Sequence, residues 1–423
     1  MSLRPRHRTL TGIPICIALG VFTAAIIVLG AQGQAFRHPL DHPAIAYNTA
    51  PLSDPVTVLN RRIQSGAVRL AFDKDKGYLP AVLQALQLPQ ESQIAVFSPT
   101  SFQADKINAQ NPRAIFFNDT VALGWVRGGL TEVVAQDPRL GPIFFQLEQK
   151  QVDRPQFTRS AECLVCHRSW ETFAVPGLMV LSTFPPTTKN GYASGGVTDQ
   201  RTPFPDRWAG WYVTGRPGRN RHMGNKPTPS QSDTSPPVVL DSLAGRIDLK
   251  GYPTPYSDIG ALMVFEHQAH MTNLLTYLTW QSRVAEQEHA PVSTLNDIVK
   301  DVVDYMLFVD ETTITGKIEG SSGFTELFSS FGPRDGRGRS LRQLDLENRL
   351  MRYPCSYMIY SQAFEALPAA AKDAVYRRMW EILSGSDKEY RYQRLTLADR
   401  RAIVEILRDT KKDLPSYFQA PSV

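Results

Sequence analysis

A chain of 423 residues with 42% hydrophobic and 10% aromatic content has the length and composition of a folded protein of two domains, not of a disordered one. The formal charge is +5, but Arg4, Arg6 and Arg8 belong to a basic leader; removing those three from 46 basic residues leaves 43 against 41 acidic ones. That near-neutral balance gives no case for nucleic-acid binding.

In chain order, residues 1–35 read as a signal peptide or a membrane anchor. A basic start at Arg4–Arg8 precedes an apolar run from Ile13 to Ala31, and Gly33-Gln34-Ala35 has the small-x-small form of a cleavage site. The run is also long enough to span a bilayer, so cleavage and retention both stay open. Either way the bulk of the chain is expected outside the cytoplasm, periplasmic or tethered to the inner membrane by residues 13–31. Residues 36–56 read as a linker. From Asn60 to Leu88 the spacing of Tyr78, Leu79, Val82, Leu83 and Leu86 predicts helix.

From Gln93 the period changes to that of strands. Ile94–Phe97, Ala114–Phe117, Val121–Val126, Leu130–Ala135 and Ile143–Leu147 are short β-type runs, and Arg127-Gly128-Gly129 predicts a hairpin turn or bulge. Two further extended runs, Leu178–Phe184 and Trp208–Val213, flank a motif described below, and 215–237 is loop by composition. Helical patterns follow at Asp258–Glu288, Leu295–Val309, Arg339–Tyr360, Ala370–Leu383 and Thr396–Asp409, the last opening on a near capping box. The expected fold class is α+β. A β-rich region over 57–255 is followed by a mainly helical region over 256–423 that packs on it.

The chemistry is concentrated in Cys163-Leu164-Val165-Cys166-His167, which spells C-x-x-C-H. Two thiols three positions apart can add across the two vinyl groups of one haem, and the adjoining imidazole can then take the iron. A zinc site would need a second ligand pair, and the chain has no other Cys pair; a redox dithiol would follow a βαβ pattern, which is absent. Covalent haem c, one per chain, is therefore the expected cofactor, with Cys163 and Cys166 as attachments and His167 as proximal ligand. Of the other cysteines, Cys16 falls in the leader and Cys355 is expected as a small buried hydrophobe.

What fills the sixth position of the iron separates a carrier from a catalyst. The sequence offers His222 and Met223 in a loop, and His267 and Met271 one helical turn apart on a helix. Three tryptophans near the motif, Trp125, Trp208 and Trp211, are expected to wall the cofactor pocket. Arg334, Arg337 and Arg339 form a basic loop that is either solvated or a clamp for carboxylates.

The motif resembles that of c-type cytochromes. The runs FFNDTVALGWVRGG (116–129), WAGWYVTG (208–215), RHMGN (221–225) and SDIGALMVFEHQ (257–268), with GPRDGRGRSL (332–341) and RYPCSYMIYSQAF (352–364), resemble a largely uncharacterised group of exported bacterial mono-haem proteins. The separation of Met223 from Cys166 is common for the ligand methionine of small cytochromes c. The resemblance implies an exported mono-haem c-type cytochrome that passes single electrons to or from a redox partner protein. The alternative is a haem-dependent, peroxidase-like oxidoreductase with an open distal site, in which His222 or His267 would serve as acid–base.

Overall fold

The computed structural model describes residues 40–186, 195–226 and 238–419. The leader, its apolar run and the end of the 215–237 loop lie outside the described residues. Among the described residues no helix is long and apolar enough to cross a membrane.

The chain is α+β. Its scaffold is an antiparallel sheet of seven strands, β1 (Ile94–Val96), β2 (Arg113–Phe117), β3 (Val121–Trp125), β4 (Thr131–Asp137), β5 (Gly141–Leu147), β6 (Thr158–Arg159) and β9 (Trp211–Tyr212), in the order β6-β5-β4-β3-β2-β1-β9. A separate hairpin joins β7 (Val180–Thr183) to β8 (Gly195–Thr198). The predicted turn at Arg127-Gly128-Gly129 is the β3–β4 hairpin, with Val121 opposite Ala135 and Trp125 opposite Thr131.

Side chains on successive strand residues point to opposite faces, and here both faces are apolar. Ile115, Phe117, Ala122, Val134 and Phe144 join one hydrophobic cluster; Ala114, Phe116, Leu123, Val133 and Phe145 join another. The second cluster is closed by α1 (Pro55–Gln64) and α2 (Leu79–Ala85). The first is closed by α4 (Ile259–Gln287) and the helices after it: α5 (Asn296–Met306), α6 (Phe324–Ser330), α7 (Gln362–Glu365), α8 (Ala369–Leu383) and α9 (Leu397–Thr410). A short helix, α3 (Leu164–His167), follows β6, and its Leu164 packs against both clusters.

α4 is 29 residues long and buried on nearly every side from Ile259 to Val284; its buried polar residues Glu266, His267, Gln268 and Asn273 are each hydrogen-bonded, as burial demands. Asp258 caps it, its Oδ1 accepting from the Ala261 amide at 2.9 Å. Phe265 on this helix meets Phe117 of β2 with ring centroids 4.9 Å apart. Trp280 donates to the Leu140 carbonyl at 3.1 Å. The helical half thus packs straight onto the sheet.

Three segments differ from the sequence reading. Residues 36–56 are no loose linker where described: Ile45 and Tyr47 are buried, the Tyr47 hydroxyl donates to the Pro142 carbonyl at 2.7 Å, and α1 starts at Pro55. The helical pattern over 60–88 breaks into α1 and α2, because Asp73 holds a turn through the amides of Asp75 and Lys76. The stretch 339–360 is mostly irregular, ending in a 3-10 turn at Tyr357–Tyr360. There Asp345 accepts from the Glu347 and Asn348 amides at 2.9 and 2.7 Å, and Leu346 has φ 58°. That local carboxylate–amide turn outcompetes the helix its apolar spacing suggests.

Candidate functional site

Cys163, Cys166 and His167 lie on one turn of chain that the fold pins at both ends. The His167 amide donates to the Cys163 carbonyl at 2.9 Å, closing the turn. Ten residues on, the Gly177 amide donates to the His167 carbonyl at 2.8 Å, and His167 Nδ1 lies 2.9 Å from the Gly177 carbonyl. Only glycine fits at 177: a Cβ there would sit 2.4 Å from Asn273 Oδ1. Asn273 of α4 in turn accepts from the Leu178 amide at 2.8 Å and donates to its carbonyl at 2.6 Å. The loop that backs the imidazole is therefore bolted to the central helix.

Within that loop Phe173 and Ala174 have φ of 56° and 59°, a left-handed conformation that costs a non-glycine residue roughly 1–2 kcal/mol. The Phe173 ring offsets this by stacking on Tyr277 at 5.5 Å and meeting His270 edge-on at 5.5 Å.

The ring of His167 packs on Phe144 of β5, centroids 4.8 Å apart. Because a carbonyl oxygen only accepts, Nδ1 carries the proton and the lone pair is on Nε2, the tautomer a metal-ligating histidine uses. Burial pushes the His167 pKa below its ordinary value, with the Gly177 hydrogen bond opposing. Cys163 is buried and its thiol pushed up in pKa by burial, whereas Cys166 is exposed.

All three residues line one cavity of about 460 Å³, inside the ~300–1,000 Å³ range of cofactor sites. Its floor is the sheet, with Arg113, Ile115, Ala122, Gly124, Glu132 and Phe144; Leu178, Met179, Leu181, Trp211 and Phe265 close the far wall. On this floor lies one ion pair, Arg113 Nη1 to Glu132 Oε2 at 3.0 Å. Arg113 Nε is buried and has no hydrogen-bond partner among the described residues.

This donor set fits a covalent haem. The two thiols and the imidazole, whose Nε2 makes no hydrogen bond among the described residues, line one cavity; the rest of its lining is largely apolar, and the Arg113–Glu132 pair sits on its sheet side. Cys163 and Cys166 would hold the group and His167 would ligate its iron, which would supply one-electron chemistry. No cluster of three His, Cys, Asp or Glu side chains able to hold a bare metal ion occurs among the described residues.

None of the four residues offered for the sixth position lines this cavity. His267 is fully buried, with Nδ1 against Gln200 Oε1 at 2.5 Å and Nε2 against Ser356 Oγ at 2.6 Å, so both ring nitrogens are taken. It is stacked on Tyr305 and Phe308, centroids at 5.3 and 4.7 Å, and burial pushes its pKa down to about 3. Met271 is wholly buried in the apolar core. His222 packs on Trp208 at 5.1 Å and accepts from the Gly224 amide at 3.1 Å; burial holds its pKa down to about 4. Met223 is tied to the Arg207 carbonyl through its amide at 2.9 Å.

Of the three tryptophans, Trp211 alone lines the cavity; its Nε1 donates to the Leu181 carbonyl at 2.7 Å. Trp125 faces the other side of the sheet against Tyr252, and Trp208 donates to the buried Glu266 at 2.9 Å. The arginine loop is paired within itself and to α9, with Arg339 on Asp335 and Glu405 and Arg337 on Glu405. Cys355 is buried, its thiol pushed up to about 12.

The residues the sequence reading passed over are Arg113, Glu132 and Met179. Arg113 and Glu132 interrupt the apolar alternation of β2 and β4 on the face that carries Ile115 and Val134, a detectable signal. Met179 sits in a plain extended run, and nothing in its spacing distinguishes it. Comparisons of the chain with protein-family models, with curated proteins and with solved structures give no match.

Proposed function

We propose that the chain is an exported mono-haem c-type cytochrome that exchanges single electrons with a redox protein partner. The observation that carries this reading is the His167 Nδ1–Gly177 carbonyl bond, which leaves Nε2 turned to a cofactor-sized cavity that Cys163 and Cys166 also line. A partner has a surface to approach. Phe102 and Val165 on the cavity wall are 55% and 76% exposed, and Trp170, three residues past His167, is 64% exposed. Exposed apolar side chains grouped at a cavity mouth are a usual mark of an interaction site.

A haem-dependent oxidoreductase with an open distal site is the second reading. It is favoured by His222, Met223, His267 and Met271 all lying off the cavity, which leaves Met179 as the one uncommitted thioether on its wall.

The test is maturation in an exporting host followed by ferric and ferrous absorption spectra. The wild-type chain is expected to retain haem through denaturation, and Cys163→Ser with Cys166→Ser to lose it. A colourless wild-type protein would sink the reading.

A further inference from the structure

Arginines such as Arg337, Arg339 and Arg349 are answered by carboxylates. Five that gather where the described chain begins are not. Arg61, Arg62, Arg139, Arg159 and Arg283 form no ion pair among the described residues, and the bonds their side chains make go to backbone carbonyls. The first three are exposed and the other two half-buried.

The stretch from Leu40 to Arg62 ties the five to one region of the surface. The Leu40 carbonyl accepts from the Tyr47 amide at 2.7 Å, and the Tyr47 carbonyl accepts from Arg159 Nη2 at 2.7 Å. Arg61 Nη2 donates to the Leu52 carbonyl at 3.2 Å, and Arg62 follows it in the last turn of α1. The Ser53 amide donates to Asp137 at 2.8 Å, two residues before Arg139, whose carbonyl takes Arg283 Nη1 at 3.1 Å. Acidic groups do not cancel this charge. Asp54 and Asp137 are 0% and 1% exposed, spent on the α1 cap and on the Arg139 and Leu140 amides. Arg283 registers the excess: burial pushes its pKa down, and the Arg139 charge pushes it further, ahead of the opposing Glu286 charge.

Two observations say what covers this face. Val58 on the outer side of α1 is 43% exposed, and Arg61 and Arg62 stand one turn on, on the same side. An exposed apolar side chain flanked by arginines is the pattern of a helix surface that lies in a lipid headgroup layer. In the sequence, Ala31 ends the apolar run nine residues before Leu40, a reach of at most about 32 Å. A bilayer entered by that run is therefore within reach of the arginines. An acidic protein would match the charge but neither of these features.

We propose that this face docks on an anionic phospholipid surface, its guanidinium groups pairing with lipid phosphates and Val58 entering the headgroup layer. None of the five arginines lines the haem cavity. The inference rests on the export reading alone and stands with or without haem, so a colourless chain still tests it.

The experiment uses the exported chain freed of its apolar run, by the host's own cleavage or by a protease site placed after Gln32, so that only the folded surface can hold lipid. Co-sedimentation is measured with phosphatidylcholine vesicles and with vesicles that also contain phosphatidylglycerol. The wild type is expected to bind the second kind alone. Raising salt from about 0.01 to about 1 M, which shortens the Debye length from about 30 to about 3 Å, is expected to release it. Arg62→Gln with Arg139→Gln removes two exposed charges and is expected to weaken binding about 30-fold at low salt. Lys388→Gln with Arg401→Gln removes the same net charge from exposed positions of the helical half and is expected to leave binding unchanged. Equal losses in the two double variants would mean that net charge alone is at work, and would overturn the proposal. So would binding that salt does not touch, or equal binding to both vesicles. A wild type that ignores phosphatidylglycerol also overturns it, and hands the face to an acidic protein instead.

Discussion

At the scale of single residues, the site is set by what stands behind His167. Asn273 is 1% exposed and its amide spends both ends on the backbone of Leu178. Asn273→Ala removes a donor and an acceptor at once and leaves the Leu178 backbone with buried, unanswered groups. Such a loss is expected to cost about 2–4 kcal/mol, at roughly 1–2 for each unsatisfied group. Because Leu178 follows Gly177, the variant is also expected to loosen the bond that orients the imidazole. Denaturant unfolding of the haem-loaded chain checks the first expectation, and a shift in reduction potential checks the second. An unchanged midpoint would mean that the loop holds itself. Glu266 makes a similar point at a second buried position. Burial pushes its carboxyl up in pKa, and Arg207 at 3.1 Å, Thr198 at 2.6 Å and Trp208 at 2.9 Å hold it back. Its neighbour His267 looked like an iron ligand in sequence because a ligand and a hydrogen-bonded core histidine have the same letter and spacing.

At the scale of elements, caps decide where helices begin. Thr396 Oγ1 accepts from the Asp399 amide at 3.1 Å and Asp399 accepts from the Thr396 amide at 3.2 Å, a complete capping box at the head of α9. Asp399 also takes Arg349 at 2.7 Å, so the cap ties α9 to the irregular 339–360 segment. Thr396→Ala is expected to cost about 1 kcal/mol, read as a fall in the unfolding midpoint; Thr396→Ser should restore most of it. This cap was legible in sequence from its residue pair, β1 to β5 as short β-type runs set apart by turn residues, and α4 as one long helical pattern. The 339–360 segment was not. Its apolar spacing is helical, but Asp345 bonds its own following amides and Pro354 lies within it, and neither competition shows in a periodicity count. The CxxCH turn was legible as chemistry, and its pocket was not. The cavity wall is drawn from β2 to β5, β7, β9 and α4, and pairings at that separation leave no local trace.

At the scale of the whole molecule, the sheet is covered on both faces, so its strands carry near-continuous apolar runs and polar exceptions become informative. The same burial takes three histidines besides His167 out of water. His222, His267 and His270 are pushed down to about 4, 3 and 4, burial being the main cause in each. In the unfolded chain each titrates near 6.5. Below that pH the unfolded state therefore binds protons that the native state refuses, and stability falls as pH falls. Glu311 works in the opposite direction. Burial pushes it up to about 7, so the native state holds a proton that the unfolded chain loses above about 4.5, and this term favours the native state towards acid. Three histidines outweigh Glu311 between pH 6.5 and 5, and Glu266, which burial also pushes up, narrows their lead. With about 1.4 kcal/mol per proton per pH unit as the limiting slope, the net loss over that window is at most on the order of 3 kcal/mol. Urea unfolding of the haem-loaded chain at pH 5, 5.75 and 6.5 is expected to show stability rising with pH. His222→Asn, which removes one of the three titrations away from the cavity, should shrink the difference by roughly 1.5 kcal/mol. A flat or inverted profile in the wild type would mean that these imidazoles are protonated in the folded chain, and that the core around α4 carries their positive charge.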